Sequence, residues 1–224
     1  MKNLLWGRPS SILEMYTMVS IIAFAILNIA NGVEWNCAAS TNTGTFTRSS
    51  DCTISGTGNT NDKGGGVEVT GTLEIVGSST DMDNLVTISA ARGNRHFYVS
   101  GANDKLVLRY VKLVGGDDSL DPNHSGWVGG SILILDRGEV QLFSCILSNN
   151  EASGGGGIYA RGSSSSTVKV YAENSILQEN SASGWGGGMY ILDGTVTLTS
   201  TTFASNSAGN DGGGMYILLS LIHI

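Results

Sequence analysis

In the second half of the chain, apolar and polar positions alternate in short runs, and the runs recur. Val140-x-Leu142, Val170-x-Ala172 and Val196-x-Leu198 place apolar residues two apart, the period of a β-strand. Seven residues after each first valine stands Leu147, Leu177 or Phe203, and three later comes Asn150, Asn180 or Asn206. Small residues and a glycine run follow, then a second apolar strand, "IYA" from Ile158 or "MYIL" from Met189, with "ILIL" from Ile132 one copy earlier. The copies are offset by 30 and then 26 residues. A weaker copy starts at Leu106, with Leu108, Tyr110 and Leu113 in phase and Gly116 in the asparagine's place. Spacing inside the phrase is constant, while spacing between phrases varies, most clearly at "RGSSSST" from Arg161. Fixed strands joined by variable loops are the mark of a solenoid.

No sustained helical period follows residue 33, so the fold class is all-β, and two or three short strands per repeat predict the coil of a parallel β-helix. Like side chains would stack between coils about 4.8 Å apart. The expectation is some six coils over residues 66–218. Val140, Val170 and Val196 should fill one interior column, and Leu147, Leu177 and Phe203 another.

Asn150, Asn180 and Asn206 are expected at one corner, where asparagine tolerates a left-handed backbone and stacked amides bond from coil to coil. The runs Gly154–Gly157, Gly186–Gly188 and Gly212–Gly214 would supply a sharp bend with positive φ. A nest of their N–H groups around an anion is the alternative to a plain turn. Tyr159, Tyr190 and Tyr216 share one position in successive copies. Alternation sets them opposite Ile158, Met189 and Met215, the better core residues. The tyrosines are therefore expected to face outward, as a ladder on which sugar rings would stack.

Residues 1–32 belong to another physical class. Lys2 and Arg8 precede an apolar run from Tyr16 to Ala30, shorter than the roughly 20 residues that span a membrane. That run suits a signal peptide cleaved near Gly32; an uncleaved signal anchor, touching the membrane only through residues 16–30, is the alternative. Both place the remainder outside the cell or on its surface. In such a compartment Cys37 and Cys52 would pair, pinning residues 33–65, Trp35 included, as a cap over the first coil. Two free thiols are the alternative, and Cys145 is read as a small core filler. Composition adds two exclusions. Thirty-two glycines with two prolines fit neither collagen nor a disordered linker, and a net charge of −7 excludes nucleic acid as a partner.

At its last copy the repeat breaks. "GGGMYI" is followed by "LLSLIHI" rather than by "LDG" and another strand. One codon reading of the final six residues resembles a transposase adaptor end. Residues 219–224 are therefore expected to be a non-native tail on a repeat that runs on, with an apolar C-terminal cap as the alternative.

The stretches "LSNNEASGGGGIYA", "LQENSASGWGGGMYI" and "FASNSAGNDGGGMYI" resemble the FxxN and GGA[I/L] repeats of polymorphic outer-membrane proteins. "RHFYVSGANDKLVLRYVKLVGG" is similar to coils of the broader pectin-lyase-like superfamily. The likeness covers residues 66–218, with Leu147 and Leu177 where the repeat family carries phenylalanine. It implies a right-handed parallel β-helix. It implies activity far less, because the superfamily holds lyases, hydrolases, adhesins and structural stalks.

The superfamily's enzymes use acidic residues projecting from the coil, with Lys or Arg and often calcium. The one local constellation of that kind is "GGDDSLDPNHSGW", where Asp117, Asp118 and Asp121 stand near His124. Three carboxylates so close would suit calcium, which takes six to eight oxygens, or the acid and base of a glycosidase. Turn chemistry alone also explains them, so no catalytic residue is assigned and calcium is the only cofactor considered. His96 is read as a solvated strand edge. Two function classes stay open. One is a secreted or surface repeat protein with a structural, adhesive or carbohydrate-binding role, its partner a cell-wall or matrix polysaccharide or a surface protein. The other is a polysaccharide lyase or glycoside hydrolase centred on the Asp117 loop.

Overall fold

The computed structural model describes residues 32–54, 65–117, 129–163 and 165–223. The expected signal or anchor segment lies outside them, save for Gly32. Met1–Val33 and Glu34–Ile224 are separate units, and the second is the one built by the strands below.

Each turn of the chain lays one strand into each of three sheets. Thr72–Gly77, Lys105–Arg109, Glu139–Phe143, Val168–Glu173 and Gly194–Thr199 lie side by side in the first sheet. Val86–Ala90, Val111–Val114, Ile146–Ser148, Ile176–Gln178 and Thr202–Ala204 do so in the second. The third holds Phe97–Ser100, Ile132–Leu135, Ile158–Arg161, Met189–Leu192 and Met215–Leu218. A short fourth sheet stacks Glu151–Ala152, Ser181–Ala182 and Ser207–Ala208. Pairing between successive coils is parallel throughout these strands. The chain is an all-β parallel solenoid of about five turns, one fewer than the repeat count predicts. Among the described residues no helix is long and apolar enough to cross a membrane.

The seven-residue phrase works because it carries the chain from one sheet to the next. Val140 pairs with Leu106 on one side and Val170 on the other, and Val170 with Val196, all buried inside the barrel. Leu113, Leu147, Leu177 and Phe203 form the matching column of the second sheet. Phe203 is only half-buried, since it belongs to the last turn. Each fully buried branched side chain stabilises the barrel by about 1.5–3 kcal/mol.

Between the second and fourth sheets the asparagines line an inner corner. Asn180 Oδ1 accepts from Asn150 Nδ2 at 2.8 Å, and Asn180 Nδ2 donates to Asn206 Oδ1 at 2.9 Å. Their amides also reach across the corner, from Asn180 Nδ2 to the Leu147 carbonyl and from Asn206 Nδ2 to the Leu177 carbonyl. Gly116, which replaces asparagine in the weak copy, donates its N–H to Asn150 Oδ1 at 2.8 Å and so ends the ladder. The left-handed conformation expected of these asparagines belongs instead to the residue before each: Asn149, Glu179 and Ser205 have φ of 54°, 55° and 52°. That residue turns the chain, and the asparagine behind it points inward.

At the N-terminal end, Cys37 and Cys52 form a disulfide. Trp35 is fully buried, its ring 6.0 Å from that of Phe97 and its Nε1–H donating to the Thr41 carbonyl. Strands Gly44–Arg48 and Cys52–Ile54 pair in parallel with Leu73–Gly77 and Ile88–Ala90. Residues 44–54 thus add a first, partial turn to the solenoid. At the other end Leu221–His223 pairs with Thr195–Thr197, and Leu219 takes the corner that Asp193 holds one turn earlier.

Candidate functional site

Two columns of side chains project outward from the third sheet. Tyr98, Leu133, Tyr159, Tyr190 and Tyr216 occupy the first, and Ser100, Leu135, Arg161, Leu192 and Leu218 the second. The tyrosines face away from the barrel interior, as alternation requires, and stack with ring centroids 5.0 Å and 5.2 Å apart. They are not an open platform, however. Tyr159 and Tyr190 are only 2% and 6% exposed, because the glycine loops are thin enough to close over the rings: a Cβ on Gly154 would sit 3.7 Å from both. They form, with Leu133, a second small core outside the barrel, flanked by Tyr98, Leu135, Trp185 and Tyr216. Tyr216, in the last turn, stays half-exposed beside Trp185 at 6.4 Å. Burial, with the neighbouring Tyr190 adding to it, pushes the Tyr159 hydroxyl up to about 12, against an opposing interaction with the Arg161 guanidinium. Burial likewise raises the Tyr190 hydroxyl, so Tyr159 and Tyr190 are neutral hydrogen-bonding groups at any physiological pH.

Where the second column meets the next corner, the surface opens into a cleft of about 410 Å³. Leu135 and Leu192 form its apolar part, and Asp136, Arg161, Ser163 and Asp193 its polar part. Asp136 and Asp193 have φ of 57° and 54°, a left-handed corner that aspartate tolerates better than most residues. Gly162 stands at the equivalent position in the turn between them, without the positive φ, its N–H donating to the Leu192 carbonyl at 2.8 Å. The "RGSSSST" insertion leaves the coil here: Ser163 and Ser166 exchange both backbone hydrogen bonds and their hydroxyls lie 2.6 Å apart. Arg161 is exposed and lies between the two aspartates along the axis, yet neither carboxylate comes within 4.0 Å of its guanidinium. Asp136 accepts one bond, from Ser100 Oγ at 3.2 Å. The outer face of the first sheet is unlike this. There Arg109 is paired with Glu74 at 2.9 Å and stacked 4.0 Å over Phe143, and Lys105 is paired with Glu139.

The acidic loop is only partly within view. Asp117 is half-buried, its N–H donating to the Asn94 carbonyl at 2.9 Å, and it bridges to Glu151. Asp118, Asp121, His124 and Trp127 lie outside the described residues. Among the described residues no three His, Cys, Asp or Glu side chains come together as a metal site. The first two glycine runs do not form an anion nest: the N–H groups of Gly155, Gly156 and Gly157 are spent on the carbonyls of Trp185, Gly186 and Gly187, and those of Gly186, Gly187 and Gly188 on Asp211, Gly212 and Gly213. One residue per run, Gly155, Gly186 or Gly212, has the positive φ that a turn requires.

His96 is the clearest departure from expectation. It is fully buried rather than a solvated edge, with Nε2 3.0 Å from the Ile88 carbonyl and Nδ1 3.0 Å from Ser131 Oγ. It directly precedes the third-sheet strand Phe97–Ser100, and the neighbouring Asn94 and Arg95 are buried with it. Desolvation lowers its pKa from 6.5 to about 4, outweighing the raising effect of the Ile88 and Val114 carbonyls. The folded chain therefore resists a proton that the unfolded chain accepts below pH 6.5. Stability supplied by neutral His96 should be complete above that pH and fall away between 6.5 and 4, by about 2 kcal/mol at pH 5. Unfolding measured at pH 7.5 and pH 5 should show a drop that shrinks by this amount in His96→Asn; an equal drop in both proteins would refute the assignment.

Set against family models, curated proteins and solved structures, the chain matches none.

Proposed function

We propose that the solenoid is a right-handed parallel β-helix of the pectin-lyase-like kind. Its repeats resemble those of polymorphic outer-membrane proteins, and it serves outside the cell or on its surface as a structural or adhesive protein that holds carbohydrate. What carries this reading is the outer face of the third sheet: an aromatic ladder stiffens it, and beside the ladder opens a shallow cleft lined by Asp136, Arg161, Ser163 and Asp193. Regularity supports the non-enzymatic form. Successive turns repeat the same columns in register, whereas a catalytic cleft needs side chains whose environments set acid and base apart. In the described part of the acidic loop, Asp117 is tied into the backbone pairing of the coil.

The test is retention on insoluble wall polysaccharides together with an assay for released sugar, with and without calcium. Retention without release is expected. Product formation that is lost in Asp118→Ala would replace this reading with a calcium-assisted lyase or hydrolase at Asp117, Asp118 and Asp121.

A further inference from the structure

We infer that the cleft at Asp136, Arg161 and Asp193 binds an uncharged oligosaccharide lying along the solenoid axis across at least two sugar units. This rests on the carbohydrate reading above and gives it a place and a ligand class.

Size comes first. About 410 Å³ is at the small end of ligand clefts, which run from about 300 to 1,000 Å³. It suits a short segment of a chain and not a folded partner. The lining has two faces. Leu135 and Leu192 offer an apolar strip backed by Tyr159 and Tyr190, while Asp136, Arg161 and Asp193 supply acceptors, donors and acceptors in that order along the axis. A pyranose has the same division, with an apolar C–H face and a rim of hydroxyls that both donate and accept. A hydroxyl that bridges carboxylate and guanidinium would use bonding capacity which, within the cleft, the side chains do not use on each other.

Charge then separates the ligand classes. Two carboxylates and one guanidinium give the cleft a net charge of about −1, on a chain whose net charge is already −7. A uronate or sulfated chain would be repelled, because Arg161 answers only one anion and is flanked by two. A bare calcium ion would need six to eight oxygens, and the two carboxylates stand two coils apart, about 10 Å. That separation also exceeds one sugar ring, so Asp136 and Asp193 would grip hydroxyls of different units. The "RGSSSST" insertion fits this geometry. It is the feature that lengthens one repeat from 26 to 30 residues, and its Ser163–Ser166 turn stands at the edge of the cleft.

Calorimetric titration would use three 1,4-linked tetramers: β-linked glucose, α-linked galacturonate and β-linked glucosamine. The glucose tetramer should bind best. Arg161→Met, an exposed strand position that keeps its apolar stem, should weaken it about tenfold, as loss of a charge-assisted bond predicts. The pair Asp136→Asn and Asp193→Asn keeps a residue suited to the left-handed corner and turns the cleft to about +1. It should lower glucose-tetramer affinity and raise that for galacturonate. Circular dichroism should show both variants folded as the wild type. Stronger binding of galacturonate or glucosamine by the wild type would overturn the ligand class. Glucose-tetramer binding indifferent to both variants would overturn the site alone, while absence of binding to any tetramer would remove the carbohydrate reading with it.

Discussion

Replacing Asn180 by leucine is expected to lower stability by about 4 kcal/mol, measured as a shift in the urea unfolding midpoint at unchanged slope. The side chain makes four hydrogen bonds. Its Oδ1 accepts from Asn150 N and Nδ2 at 3.2 and 2.8 Å, and its Nδ2 donates to the Leu147 carbonyl and to Asn206 Oδ1, each at 2.9 Å. Leucine has a similar volume but leaves three buried partners, Asn150 N, Asn150 Nδ2 and the Leu147 carbonyl, without those bonds. An unmet buried polar group costs about 1–3 kcal/mol, and the low half of that range gives the figure above. Aspartate does not rescue the site, since it cannot donate to Leu147 or to Asn206. Asn206→Leu, one turn nearer the open end and only partly buried, should cost about half as much. A leucine variant at 180 that unfolds within about 1 kcal/mol of the wild type would show that the ladder decorates the corner and does not hold it.

The repeats from Leu106 onward were legible because constant spacing converts directly into constant register. Val140, Val170 and Val196 stack where the seven-residue phrase puts them. The turn before was not legible, for a local reason. Leu73 and Ile75 stack on Leu106 and Leu108, and Ile88 on Leu113, but a turn at Asp81–Asn84 separates the two strands. Ile88 therefore follows Leu73 by 15 residues and not by seven, and no phrase emerges. The tyrosines were half legible. Alternation gives their direction, whereas burial depends on how closely a glycine loop passes, which no periodicity encodes.

The cleft was hidden for a different reason. Its residues come from three turns and have no common motif, so each is ordinary in its own repeat. One signal was available: "ILD" occurs at both Asp136 and Asp193, in the strand that follows the glycines. Only a register that places Gly162 between them reveals two aspartates flanking an arginine.

The second large effect concerns glycines whose role is closeness and not conformation. Gly130, Gly156 and Gly187 have no positive φ. A Cβ on Gly187 would fall 2.5 Å from the Gly213 carbonyl oxygen and closer still to that of Ser207. Gly156 faces the same pair one turn earlier, in Ser181 and Gly187, and Gly130 the pair before that, in Glu151 and Gly156. These oxygens are backbone: that of Gly213 accepts from Gly188 N at 3.1 Å, and Ser207 is itself anchored by its N–H donating to Asn180 O at 2.9 Å, so they cannot swing aside as a flexible side chain would. Relief requires the next turn to lift away, which breaks coil-to-coil hydrogen bonds. Gly187→Ala should therefore cost at least about 3 kcal/mol, the upper end of ordinary overpacking, and hydrogen exchange should rise chiefly over residues 194–218. Gly154→Ala is the contrast. Its Cβ would rest 3.7 Å from the Tyr159 and Tyr190 rings, an ordinary contact, and with no positive φ to strain it the change should be neutral or stabilise by about 0.5 kcal/mol. If both variants lose stability equally, the column assignment is wrong; if only Gly187→Ala does, the glycine runs are there to let neighbouring turns touch.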